Sequence, residues 1–249
     1  QRVVALERVT LFHCLALGVQ PLATSLTPGR TLASVHPDWL PTHPNADIMV
    51  LDEANLDVEA ITRLAPDLMV TYQEPDSLDN LRKIAPVVLP EYGGSPDWRN
   101  LVAGIGEALN KADEVEAFKR AYEERVAAFR RDTLPRMQGK TASVIRVRAD
   151  GVRIEVRNSF PGQVLADAGV QRPAHQDVES QNGYVQVSLE RLEEADADYL
   201  FVVVVDDAQD AANLERIRSL PHWQSLKSVQ ANQVHVVKNP TWFGGLHYL

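Results

Sequence analysis

Three segments of the first half of this chain recur, in the same order, in the second half, and that duplication limits the fold more than any other feature. Leu15-Ala16-Leu17-Gly18-Val19-Gln20-Pro21 matches Leu165 to Pro173 with a small insertion. Asp57 to Val70 matches Ser188 to Phe201 without a gap, so Glu59 meets Glu190 and Asp67 meets Asp198. Leu81 to Leu89 resembles Leu226 to Val237. Helix-then-strand units share a composition, so one such match carries little, whereas three in register imply two lobes of one design.

Each unit reads as helix, then strand. Asp57 and Ser188 are placed to accept hydrogen bonds from the first amides of a helix, and Glu59 and Glu190, two residues on, suit its positive end. Apolar, β-rich runs follow at Leu68–Tyr72 and Tyr199–Val205. Continuous apolar strands alternating with helices mark a parallel sheet covered on both faces. Further strands are expected at Arg2–Leu6, Pro21–Ser25, Val87–Pro90, Ala142–Val147, Arg153–Val156 and Gln233–Val237. Between the halves, Val115, Phe118, Tyr122, Val126 and Phe129 recur every three or four residues among Glu, Lys and Arg. No Gly or Pro interrupts Lys111 to Leu134, which predicts one helix of about six turns. A helix ties two lobes stiffly where a Gly/Ser linker would release them. The expected fold is therefore α/β. Two Rossmann-like lobes, 1–108 and 137–249, each with a mostly parallel central sheet, are joined by one long rigid helix within 109–136, with a ligand cleft between the lobes.

Composition removes several function classes. The net charge of −9 argues against nucleic acid, since phosphate binding needs a concentrated basic surface. The single cysteine, Cys14, permits no intramolecular disulfide, and its apolar surroundings, Leu11 to Leu17, read as a buried helix position rather than a nucleophile. No apolar run approaches the ~18 residues of a membrane span. The chain opens directly on a strand-like segment, as a mature N-terminus left by signal-peptide removal would, and as a cytosolic domain would too.

No GxSxG, P-loop or strand-borne GxGxxG is present, so no catalytic residue and no cofactor is assigned. Asp206 and Asp207 are adjacent at a strand end and point to opposite faces. His36 and His43 share no helix face and have no Cys/His set beside them, so no metal ligand is assigned either.

In open parallel sheets, ligands bind outside the carboxyl ends of the strands. Those ends are Glu7 and Arg8, Thr27 to Arg30, Tyr72 and Gln73, Tyr92, Arg146 and Arg148, Asp206 and Asp207, and Asn239 to Phe243, with Trp39, Trp98, Arg157 and Tyr184 in nearby loops. Arg146, Arg148, Arg153 and Arg157 form the densest basic cluster in an acidic chain.

The order RVVALE (Arg2–Glu7), LALGVQP (Leu15–Pro21), NLDVEAITRLAPDLMV (Asn55–Val70), LRKIAPVVLP (Leu81–Pro90), a long helix, FPGQVLADAGVQRP (Phe160–Pro173), YVQVSLERLEEADADYLFV (Tyr184–Val202), HWQSLKSVQANQVHVV (His222–Val237) and TWFGG (Thr241–Gly245) resembles the siderophore and cobalamin class of periplasmic binding proteins. The likeness covers nearly the whole chain and fits the iron-chelate branch better than the cobalamin branch. That family usually runs on past the Trp…Gly-Gly stretch into a C-terminal helix, whereas here only Leu246 to Leu249 follow.

The resemblance implies a monomeric, extracytoplasmic receptor of an ABC importer, periplasmic or lipid-anchored, that hands a ferric siderophore or similar iron chelate to a permease dimer. Arginine forks suit the anionic oxygens of such a chelate, and aromatic faces suit its organic shell. The expected ligand residues are Arg8, Trp39, Tyr72, Tyr92, Trp98, Arg146, Arg148, Arg157, Tyr184 and Trp242. The resemblance also implies that Glu59 and Glu190 dock the permease, and that the iron arrives already wrapped in its chelator. The alternatives are a cytosolic two-lobe α/β enzyme such as a nucleotide-sugar transferase, a cobalamin- or haem-binding member of the same family, and a sensory domain of a regulator.

Overall fold

The first sheet has strands β1 (Val3–Ala5), β2 (Ala23–Leu26), β3 (Met49–Asp52), β4 (Leu68–Val70) and β5 (Val87–Val88), all parallel and ordered β3-β2-β1-β4-β5. The structure is a computed structural model and describes residues 1–35, 47–90, 98–204 and 208–238. Helices α1 (Arg8–Ala16), α2 (Leu32–Val35), α3 (Val58–Leu64), α4 (Leu78–Leu81) and α5 (Trp98–Ala108) connect or cover these strands. Val4, Leu6, Ala23, Ile61, Met69 and Leu81 form one core cluster of this sheet. The sequence reading missed β3, a four-residue edge strand: the apolar run Ile48 to Leu51 is there, but Met49 and Val50 remain exposed.

Helix α6 runs unbroken from Ala112 to Asp132, close to the span expected from its apolar periodicity. Contacts divide the chain into two compact units, and the division falls inside this helix, between Lys119 and Arg120. Val115 is buried near the start of α6. A Cβ on Gly106 would lie 2.3 Å from its Cγ2, so glycine is what lets α5 and α6 approach there. Farther along, the Tyr122 hydroxyl donates to Asp167 at 2.7 Å.

The second sheet contains β6 (Ala142–Val147), β7 (Gly151–Glu155), β8 (Tyr184–Ser188), β9 (Tyr199–Val204) and β10 (Val234–Lys238), ordered β10-β9-β6-β7-β8. Helices α7 (Phe160–Ala168), α8 (Ala208–Arg218), α9 (Pro221–Gln224) and α10 (Lys227–Gln230) accompany it. One face carries Ile145, Val147, Ile154, Leu192, Ile217 and Trp223; the other carries Ala142, Val144, Val203, Leu165 and Val170.

The duplication is visible in the pairing. Val3 lies opposite Leu68 in the first sheet, and Ala142 lies opposite Tyr199 in the second; Leu68 and Tyr199 are equivalent in the repeat. The lobes part company on the other side of that central strand. In the first, α1 carries the chain from β1 over to the parallel strand β2. In the second, residues 148–150 turn β6 straight into β7, and so short a link permits only an antiparallel neighbour. The counterpart of β2 shrinks to a single parallel bridge, Thr141 to Gln171.

Two local expectations need correcting. Tyr184, read as a loop residue, opens β8. Ser188 does not cap a helix with its side chain: it is the last residue of β8, opposite Gly151, and the run after it is a 3-10 segment, Leu189–Ala195. Asp57 does cap, accepting from the Ala60 amide at 2.8 Å.

Candidate functional site

The carboxyl ends of the parallel strands in the first lobe enclose a cavity of about 330 Å3, lined among others by Glu7, Ser25, Glu53, Thr71, Gln73 and Asp76. This is where the strand-end rule places a ligand. Glu7 leads from β1 into α1 and is only 6% exposed. Its carboxyl accepts from the Thr10 hydroxyl at 2.8 Å and from the Tyr72 amide at 3.2 Å, tying the end of β1 to the end of β4. Burial pushes its pKa up to about 8, outweighing those hydrogen bonds, so the group is largely a neutral acid at pH 7. Tyr72 is pushed up to about 12, by burial first and by Glu7 second, with Arg8 at the head of α1 pulling the other way. Gln73 donates to the Tyr72 hydroxyl at 2.8 Å, and at the rim the Thr27 hydroxyl donates to Glu53 at 2.8 Å.

The carboxyl end of β6 holds the second group of candidate side chains. Arg146 lies directly opposite Arg153 across the β6–β7 pair. Its Nε donates to Oε1 of Glu155 at 2.6 Å, and Glu155 is 2% exposed. Burial raises the Glu155 pKa, with Arg146 the strongest opposing influence. The Arg146 and Arg153 guanidinium carbons lie 5.4 and 4.3 Å from the centre of the Tyr184 ring, within cation–π range. Arg148 follows β6 in the hairpin, its amide donating to the Gly151 carbonyl at 2.9 Å. Arg216 of α8 holds that hairpin by donating to the Ala149 carbonyl.

Other expected site residues fall elsewhere. Arg157 pairs with Glu179 at 3.1 Å; because β7 runs against β6, it lies toward the start of β6 rather than its carboxyl end. Trp98, expected in a loop, begins α5, is 3% exposed and packs edge-on against Phe118 with ring centres 6.3 Å apart. Its ring is part of the core. Trp39, Tyr92 and Trp242 lie outside the described residues, as do His36, His43, Asp206, Asp207 and Asn239 to Phe243. Glu59 and Glu190 are both exposed, in the first turn of α3 and of the Leu189–Ala195 segment. Among the described residues, no three His, Cys, Asp or Glu side chains are grouped to hold a metal ion.

The model of a family described as "Periplasmic binding protein" matches residues 13–241. The chain belongs to that family. This periplasmic binding protein is 29% identical over 255 residues to the Bacillus subtilis protein described as a probable siderophore-binding lipoprotein, YfiY, an alignment covering 97% of this chain and 76% of the relative. It is 30% identical over 195 residues to the B. subtilis Fe(3+)-citrate-binding protein YfmC, covering 76% of this chain and 58% of the relative. Among solved structures it resembles Staphylococcus aureus SirA in complex with staphyloferrin B, with a TM-score of 0.81, 27% identity and coverage of 99% and 88% of the two chains. The family is one of binding proteins, not enzymes.

Glu7 and Arg153 stand among the strand-end and basic residues of the sequence but not among the expected ligand contacts, and Glu155 is in neither group. The signal for Glu7 was its position two residues after the buried strand Val3-Val4-Ala5. For Arg153 and Glu155 it was their alternation along one strand, which places both on one face.

Proposed function

We propose that this protein is the substrate-binding component of an ABC importer, capturing a ferric siderophore or similar iron chelate outside the cytoplasmic membrane and delivering it to a permease dimer. The observation that carries this reading is the group at the end of β6: Arg146 and Arg153 stacked on Tyr184 beside Arg148. Guanidinium forks and an aromatic face suit a chelate with anionic oxygens and an organic shell. The family match and relatives named for binding siderophores or ferric citrate support the same ligand class. A lipoprotein among those relatives supports a membrane-anchored form as readily as a free periplasmic one.

The carboxyl-end cavity of the first lobe supplies a second ligand surface, lined by Glu7, Thr71 and Gln73, to which Arg8 and Tyr72 are neighbours in sequence. Exposed Glu59 and Glu190, one per lobe at equivalent places in the repeat, are the proposed contacts to the permease.

Titration of the full chain with ferric citrate, a ferric trihydroxamate, a ferric catecholate and cobalamin, followed by tryptophan fluorescence, tests the reading. Saturable quenching by a ferric chelate, with none from cobalamin, is the expected result. Silence toward every ferric chelate removes it.

A further inference from the structure

A continuous run of hydrogen bonds leads from Arg146 to the segment that carries Glu190, all within the second lobe. Arg146 donates through Nε to the Glu155 carboxylate at 2.6 Å. Arg172, beyond the end of α7, donates through Nη1 to the Glu155 carbonyl at 2.9 Å and to the Gln176 carbonyl at 3.3 Å. Gln176 ends a short 3-10 turn, Ala174–Gln176, and its side-chain amide donates to the Glu194 carbonyl at 2.8 Å. The same carbonyl accepts from Nε2 of His175 at 2.8 Å. Glu194 lies in the Leu189–Ala195 segment with Glu190, and its carboxylate pairs with Arg191.

Two polar atoms along this run are buried without a partner among the described residues: Nη2 of Arg172 and Oε1 of Gln176. A buried donor left open is costly, so an arrangement that fills Nη2 competes with the one seen. The acceptor at hand is the Glu155 carboxylate, which is 2% exposed and already feels the charge of Arg172.

We propose that Arg172 is a positioning residue with two settings: it holds the Gln176 turn while Glu155 is bonded to Arg146, and it takes over the Glu155 carboxylate when an anionic chelate engages Arg146, releasing the segment that carries Glu190. The inference rests on the iron-chelate and permease readings and deepens them to a signal of loading. A chelate at Arg146 places two negative charges on one guanidinium. A carboxylate as buried as Glu155 cannot turn to water, so it moves to the cation that still has an open donor. Turning Nη2 toward that carboxylate draws Nη1 off the Gln176 carbonyl, the longer of its two bonds. The 3-10 turn slackens, and with it the hold of Gln176 and His175 on Glu194. The segment they hold is not a regular helix: Arg191 departs from helical geometry at φ −118°, ψ 29°, whereas its counterpart in the first lobe, α3, is capped by Asp57. Leu192 stays seated in the core, which confines the movement to the outer side of the segment. A released Glu190 adjusts to its permease contact, so loaded receptor docks in preference to empty.

Amide hydrogen exchange on the full chain tests this, with ferric citrate as the first probe and a ferric catecholate as the second. In wild type, saturating chelate should speed exchange across residues 189–196 by about 2- to 10-fold, the equivalent of one hydrogen bond. Arg172→Met should exchange fast there with or without chelate, and bind it more weakly because Glu155 then has no second partner. The Gln176→Met, His175→Ala double variant cuts only the far end of the run. It should also lose the response, yet bind chelate within about threefold of wild type. Thermal unfolding checks that each variant is folded, and the wild-type response is read without any variant. Unchanged or slower exchange in wild type at saturating chelate overturns the inference, as protonation of Glu155 in place would produce. A full response in Arg172→Met, or binding of neither anionic probe, overturns it too. Each of these leaves the iron-chelate reading intact; silence toward every ferric chelate overturns that reading as well.

Discussion

Asp67 and Asp198 make the same hydrogen bond in the two lobes. Each carboxylate accepts from the backbone amide leading into the first strand of its own sheet: Arg2 donates to Asp67 at 2.7 Å, and Thr141 donates to Asp198 at 2.8 Å. The two aspartates are equivalent in the sequence repeat, and each sits just before the strand that pairs with that first strand, β4 or β9. The bond therefore pins the start of a parallel pair that is far apart in sequence.

Replacing either aspartate by alanine should lower stability by about 1–2 kcal/mol, less than a fully buried charged contact because both sites are partly wet. For Asp198 the effect is pH-dependent. The Thr141 amide holds its pKa down to about 2, against an ordinary value of 3.8, with the Thr141 hydroxyl, Lys227 and Lys140 adding to the effect. A depressed carboxyl stabilises the fold above the unfolded value and loses that contribution as the pH falls through the folded one. Denaturant melts of wild type and Asp198→Asn should thus converge between about pH 4 and pH 2. A constant gap across that range would contradict this account.

Glu7 has the opposite sign. Its folded pKa of about 8 lies above the ordinary 4.5, so between those values the folded state binds the extra proton. Its contribution is complete below pH 4.5 and declines by about 1.4 kcal/mol per pH unit until the folded group ionises near 8. Glu7→Gln should flatten the decline of stability between pH 5 and pH 8, measured by urea unfolding in steps. Parallel pH profiles for the two proteins would mean that Glu7 is ionised in the fold.

Gly151 lets β7 and β8 close on each other. A Cβ there would lie 2.1 Å from the Val187 carbonyl oxygen, a backbone atom that cannot swing aside. Gly151→Ala should therefore cost about 1–3 kcal/mol through strain and disturb the pairing that places Tyr184 beside Arg153. Both a lower melting temperature and weaker chelate binding are expected; an unchanged melting temperature would show that the strands separate without penalty.

The proposed docking role of Glu59 and Glu190 predicts that binding and delivery can be separated. Glu59 lies 3.9 Å from Arg63, an exposed pair worth little to stability. The Glu59→Ala, Glu190→Ala double variant should fold and bind chelate as wild type does, yet fail to stimulate the transporter's ATPase in reconstituted vesicles, since rim charges act mainly on docking. Full stimulation by that variant would leave these residues only their role at the helix starts.

Much of this architecture was legible in the chain itself. The Asp57 cap, the unbroken α6 and the equivalence of β4 with β9 follow from local chemistry and from a repeat that sequence comparison exposes directly. So does the location of a cavity at the carboxyl ends of β1 to β4, because parallel strands bring those ends together. What the sequence could not supply was cross-strand register. Four arginines between 146 and 157 read as one cluster, but pairing sets Arg146 against Arg153 and sends Arg157 toward the other end of the sheet to meet Glu179. Trp98 stood beside a Gly/Pro-rich stretch and looked like a loop aromatic until packing against Phe118 placed it in the core. Local propensity and repetition fix which segments become helices and strands; only the burial of one strand face against another decides which distant side chains share a site.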